Sequence, residues 1–155
     1  MRRIITITFV VVLGLCMAAT AFADSATKKE VIAKVKEAAT MITKEGQDAA
    51  LKEINNKKGK FVWKDTYVFV FDLEGTVVAH PFRPQNIGRN QMNWRDKSDP
   101  PRQPIKDMVG IAKGKGEGWT EYMWFKPGEK VLSKKMSYIY RVPGQNLLVG
   151  AGIYE

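Results

Sequence analysis

YVFVFDLEGTVVAH, residues 67–80, decides how the rest of the chain is read. Its first five residues are β-branched or aromatic without a break, the composition of a buried strand. Asp72-Leu73-Glu74-Gly75 then supplies turn residues, and Thr76 to Ala79 returns as a second strand, so the stretch reads as a hairpin ending at His80. Pro81 holds His80 in an extended conformation. His80 is the single histidine of the chain.

Upstream of Gly59 the period is helical. Val31, Val35, Ala38 and Ile42 recur at steps of three and four and form one apolar stripe. Ser25 or Thr27 can cap this helix, and Glu30 follows Thr27 at capping-box spacing. Gly46 interrupts it. QDAALKEI resumes it with Leu51 and Ile54 apolar, and NNKKGK breaks it. Downstream, residues 81–104 carry Pro81, Pro84, Pro100, Pro101 and Pro104 and show no period, which predicts a long loop of the functional or disordered kind. QPIKDMVGIAKG predicts a short helix with Ile105, Met108, Val109 and Ala112 inward. GWTEYMWF, VLSKKMSYIYRV and LLVGAGIYE are three more strands, separated by the turns KPGEK and PGQN. A helical part, 25–56, thus precedes a sheet part, 60–155. Five strands joined mainly by hairpins predict an α+β fold, one antiparallel sheet with helices packed on it. There is no βαβ series, which argues against a doubly wound nucleotide-binding domain.

The first residues predict export. Arg2 and Arg3 precede an apolar run from Ile4 to Ala19, and Ala21-Phe22-Ala23 offers a cleavage site, the layout of a signal peptide over residues 1–23. The run is shorter than the roughly 20 residues of a spanning helix. A membrane anchor through residues 4–19 and a lipid-modified Cys16 are the alternatives. The expected domain, 24–155, is periplasmic or secreted and contains no cysteine, hence no disulfide or thiolate site. Its 23 basic and 16 acidic residues give a net charge of +7. Export argues against a nucleic-acid partner, and the lysines of KKGK and KGKG read as solvated surface. One histidine and no cysteine argue against zinc. No CxxCH is present for haem, DKSD lacks the glycine of a calcium loop, and no nucleophile elbow occurs. No cofactor, no metal and no enzymatic reaction are expected.

In their order and spacing, YVFVFDLEGTVVAHPFRPQNIGRN, RDK, GEGWTEYMW, KPGEK, KKMSYIY and VGAGIYE resemble the single Cache domain, type two. This is a PAS-like extracytoplasmic sensor domain of bacterial chemoreceptors and sensor kinases. The resemblance runs from about Thr27 to Tyr154. It implies a long N-terminal helix packed behind a PAS-like, five-stranded antiparallel sheet. It also implies a pocket on the opposite face, roofed by the long loop and short helix, for a small organic anion such as a short carboxylic acid. Family members usually sit between two membrane helices. No second apolar span follows here, so the expectation is a free-standing domain that signals through a separate sensor kinase or chemoreceptor. The alternative is a ligand-free module that dimerises through its N-terminal helix or docks on a membrane sensor.

The residues themselves name the candidate site. A lone histidine at a strand end is often only hydrogen-bonded structure; the match at AHP gives His80 a ligand role as well. Strand alternation puts Tyr122 and Trp124 on one face and Trp119, Glu121 and Met123 on the other. Tyr122 and Trp124 suit a pocket wall, each an apolar ring with one polar hydrogen, although both could simply fill core. Lys135 shares a face with Ser137 and Ile139, and it matches the family's lysine in this strand. An ammonium there is costly unless paired; a bound carboxylate, Glu121 or Asp96 would pair it. In MNWRDK, Trp94 could cap the pocket and Arg95 could grip a carboxylate with two hydrogen bonds, while Asp96 would pin the loop through backbone amides.

Overall fold

The computed structural model describes residues 25–155. The expected signal peptide, and the anchor and lipid alternatives to it, lie outside these residues. Helix α1, Lys28–Lys44, begins at Thr27 rather than Ser25. The Thr27 hydroxyl accepts the Glu30 amide proton, and the Glu30 carboxylate accepts the Thr27 amide proton, closing the capping box. Val31, Val35, Ala38, Ala39 and Ile42 are its buried face. Gly46, at φ +94°, turns the chain into α2, Gln47–Asn55, which buries Ala50 and Ile54.

Five strands form one antiparallel sheet: β3 (Phe69–Asp72), β4 (Val77–Ala79), β5 (Glu117–Phe125), β6 (Leu132–Arg141) and β7 (Leu147–Tyr154). Their spatial order is β4-β3-β7-β6-β5. Helices α1 and α2 cover the back, where Val68, Val70, Tyr138, Val149 and Ala151 meet them. Helix α3, Pro104–Gly114, and the loop before it cover the front, where Phe69, Phe71, Ile139 and Leu148 meet Ile105, Met108 and Val109. Successive side chains thus alternate between two cores, which is why 67–71 reads as continuously apolar.

That reading missed one break. Val62–Trp63 (β1) and Thr66–Tyr67 (β2) form a separate two-stranded ribbon, closed by a turn in which Lys64 adopts φ 48°. The in-and-out alternation continues through Val68, so the faces match the sequence; what changes is the hydrogen-bonding partner, from β1 to β7.

The front face depends on two glycines of β7. A Cβ on Gly150 would stand 2.5 Å from the Phe69 ring, and one on Gly152 would stand 2.5 Å from Ser137 Oγ and 2.9 Å from Lys135 Cε. Both positions must lack a side chain for these groups to lie flat on the sheet. Gly152→Ala is therefore expected to destabilise the fold by about 1–3 kcal/mol through overpacking. Gly110→Ala is the control, on the exposed side of α3 with nothing within 4 Å of the new methyl; it should stabilise by about 0.5–1 kcal/mol. Urea unfolding of the two variants measures the opposite signs.

Candidate functional site

Register brings the front-face residues together. Lys135 of β6 lies opposite Tyr122 of β5 and Tyr154 of β7. Ser137 lies opposite Gly152, and its hydroxyl is 3.1 Å from the Tyr122 hydroxyl. Tyr67 enters from β2. Its ring is 4.2 Å from the Lys135 Nζ, with the Tyr154 ring at 4.8 Å and the Phe69 ring at 5.5 Å.

Lys135 is fully buried and its Nζ has no hydrogen-bond partner among the described residues. Neither partner weighed from the sequence reaches it. Glu121 lies on the other face of β5 and pairs with Arg102 and Lys134, at 3.1 Å each. Asp96 accepts the Met123 and Arg102 amide protons at 2.8 Å and the Ser98 hydroxyl, tying the loop to β5. Burial pushes the Asp96 carboxyl up, but these hydrogen bonds outweigh it and hold it below its ordinary value. Three aromatic rings are the immediate company of Lys135; their quadrupoles offset part of its desolvation. Burial still lowers its pKa from 10.5 to about 7, opposed by the charge of Asp65.

His80 directly follows β4 and is 5% exposed. Its backbone N–H donates to Asn55 Oδ1 at 2.9 Å, which fastens it to the end of α2. The Arg83 N–H donates to Nδ1 at 3.2 Å. The imidazole proton is thereby assigned to Nε2, which lies 3.3 Å from the Tyr67 hydroxyl. That hydroxyl also accepts the Trp124 Nε1–H at 2.8 Å. Burial first, then the charges of Lys135 and Arg83, push the imidazole down to about 3, so it is a neutral donor over the physiological range. Burial raises Tyr67 to about 12, which keeps its hydroxyl protonated as a donor.

Tyr67, His80 and Trp124 form a wall between two cavities. The inner one is a narrow slot of about 20 Å³ under α3, lined by Phe69, Phe71, Ile105, Met108 and Tyr122, with Gln91 reaching in from the loop. The outer one is wider, about 140 Å³, and carries Arg83 and Lys126 beside Phe82 and Phe125. Of the residues named from the sequence, His80, Tyr122 and Trp124 line the inner cavity, and Lys135 lies behind its Tyr67 and Phe69 walls. Trp94 stands one layer out, edge-on to Trp124 with ring centroids 5.2 Å apart. Arg95 is exposed and lines neither cavity. Sequence reasoning passed over Tyr67, Arg83 and Tyr154. Alternation in GIYE would have placed Tyr154 on the Lys135 face; no local signal marks Arg83.

Comparison with known proteins gives a consistent picture. The Cache domain family matches residues 24–155. The sensor histidine kinase MctS of Rhizobium johnstonii is 33% identical over 92 residues, 59% of this chain and 19% of the kinase. The methyl-accepting chemotaxis protein McpP of Pseudomonas putida is 28% identical over 90 residues, 58% of this chain and 16% of the receptor. The aligned part is thus under a fifth of either relative. A solved Cache chemosensory domain, described as recognising carboxylic acids, superposes with a TM-score of 0.71 at 26% identity, covering 81% of this chain and 91% of that one. The periplasmic sensor domain of a chemotaxis protein gives 0.63 at 26% identity, covering 79% and 86%.

A buried cation without a counter-ion weakens the unliganded fold. Lys135→Met keeps the length of the side chain and removes the charge, so it should stabilise the unliganded protein by at least about 1 kcal/mol. Between pH 7 and 10.5 the unfolded chain keeps a proton on this lysine that the folded chain has released, so wild-type stability rises with pH there. The advantage of methionine is therefore greatest at pH 7 and below and shrinks toward pH 10. Melting curves of both proteins at pH 6, 8 and 10 check the size and the trend.

Proposed function

The chain belongs to the Cache domain family of extracytoplasmic sensor domains, and from that premise we propose that it binds a small carboxylate on the front of its sheet. The observation that carries this reading is the fully buried Lys135 ammonium with no hydrogen-bond partner among the described residues. A carboxylate would supply the missing counter-charge. The neutral His80 Nε2–H and the Tyr67 hydroxyl, next to the same ring system, would donate to its oxygens. Phe69, Phe71, Ile105 and Met108 line a narrow apolar slot that suits only a short tail. The likeness to a Cache domain described as recognising carboxylic acids supports the same ligand class.

The proposed setting is the periplasm, after cleavage behind Ala23, with a membrane sensor kinase or chemoreceptor as the partner that carries the signal onward. No reaction is assigned to the domain. Dimerisation through the apolar stripe of α1 has little support, because Val31, Val35, Ala38 and Ile42 are all buried within the fold.

Titration calorimetry with acetate and propionate tests the reading. Lys135→Met and His80→Asn should each weaken binding roughly tenfold to a hundredfold, the loss of one charge-assisted hydrogen bond. Asparagine at 80 can still accept the Arg83 N–H, so the loop is retained. The two losses should not add, since both groups would hold one carboxylate. The pH dependence has a fixed sign. Lys135 loses its proton above about 7, so affinity should fall about tenfold per pH unit beyond that. His80, neutral down to about 3, adds no slope between pH 5 and 7. Affinity that is flat from pH 6 to 9 would falsify the role of Lys135.

A further inference from the structure

The turn from β1 to β2 ties the start of α1 to the floor of the site. Lys64 Nζ lies 2.8 Å from Glu30 Oε1, the carboxylate that closes the α1 capping box. Asp65 Oδ1 accepts the Ala26 N–H at 2.9 Å, immediately before the Thr27 cap. The Thr66 hydroxyl donates to the Gly152 carbonyl at 2.5 Å, beside the Lys135 side chain. Tyr67 then lies against the Lys135 ammonium. Four successive residues therefore touch α1 or its cap at one end and the site at the other.

Asp65 is the odd member of this set. Its carboxylate is 7% exposed, and Oδ2 has no hydrogen-bond partner. The Lys126 Nζ is 3.5 Å away, beyond direct hydrogen-bond length. Lys126 lines the outer cavity, and it lies 5.7 Å from the Tyr154 ring that Lys135 also faces at 4.8 Å. Asp65 supports the protonated form of Lys135 electrostatically. A neutral amide would hold the Ala26 N–H as well as Asp65 does. Its negative charge, half-satisfied and buried, is explained by the two lysines and not by the helix.

We propose that Asp65 is a built-in competitor of the bound anion, which takes over Lys135 and shifts Asp65 on its bond to the Ala26 amide at the start of α1. The inference rests on the carboxylate reading. A carboxylate held at Lys135 and the Asp65 carboxylate that supports the same charge repel each other, and the hydrogen bond Asp65 makes, to the Ala26 N–H, is where the displacement reaches α1. By linkage, whatever occupancy does to that bond, the bond does to affinity.

Asp65→Asn retains an acceptor for Ala26 and removes the competing charge. At pH 5, low enough to keep Lys135 protonated once the supporting charge of Asp65 is gone, it should bind acetate and propionate at least threefold more tightly than wild type by calorimetry. Hydrogen exchange of the segment 26–31 should change severalfold on saturating the wild type with propionate, and should not change in the variant. Wild-type binding by calorimetry with no change in exchange at 26–31, or an asparagine variant that binds no more tightly, overturns the inference alone. If neither acid binds the wild type, the carboxylate reading fails and the inference falls with it.

Discussion

The Lys135 ammonium sits near the middle of a five-stranded sheet, with aromatic rings around it and no carboxylate paired to it. Much of the front face follows from that placement. Gly152 must be bare so that the lysine stem can lie flat. Tyr67, Phe69 and Tyr154 must present π-faces, because among the described residues no acceptor is hydrogen-bonded to the ammonium and Asp65 acts on it only through its charge. His80 must stay neutral, since a second cation here would find no partner. The unliganded domain thus holds an unmet demand for hydrogen bonds to this ammonium, at a cost to its own stability. A sensor has use for such a demand, because the free energy that a ligand releases by meeting it is available to do something else.

The back of the sheet has a different task. Helices α1 and α2 contribute Val31, Val35, Ile42 and Ile54 to a core without a buried charge, and every apolar position of the first stripe is used. This half supplies the stability that the front face spends. The division is clean because each strand sends alternate residues to the two sides, so Tyr138 and Ile139, neighbours in sequence, belong to separate cores.

Much of this was legible in the residues. The stripe of α1, helix α3 and the facing of Tyr122 and Lys135 all follow from period and spacing, and of the two caps the sequence allowed, Ser25 and Thr27, the structure uses Thr27. The partner of Lys135 was not legible in the same way. Glu121 and Asp96 were both credible from sequence, and only the pairing of Lys135 with Tyr122 shows that Glu121 points away. Tyr67 was hidden because it reads as the first residue of a long strand, whereas it closes a separate ribbon after an αL residue, Lys64. Arg83 was hidden in an aperiodic loop, where local sequence does not say which side chain turns inward. Period names the face of a residue; register and loop paths, which are long-range, name its neighbours.

The central place of β7 has a consequence for the order of assembly. Strands β3 and β4 form one hairpin and β5 and β6 another, and β7 alone joins them, pairing Phe69 with Gly150 on one side and Lys135 with Tyr154 on the other. Until residues 147–154 are in place, the chain holds two unjoined hairpins, and the site between them does not exist. Contacts this distant in sequence form slowly. The sheet therefore stays open while both hairpins are made, and closes only when β7 pairs along its two sides at once.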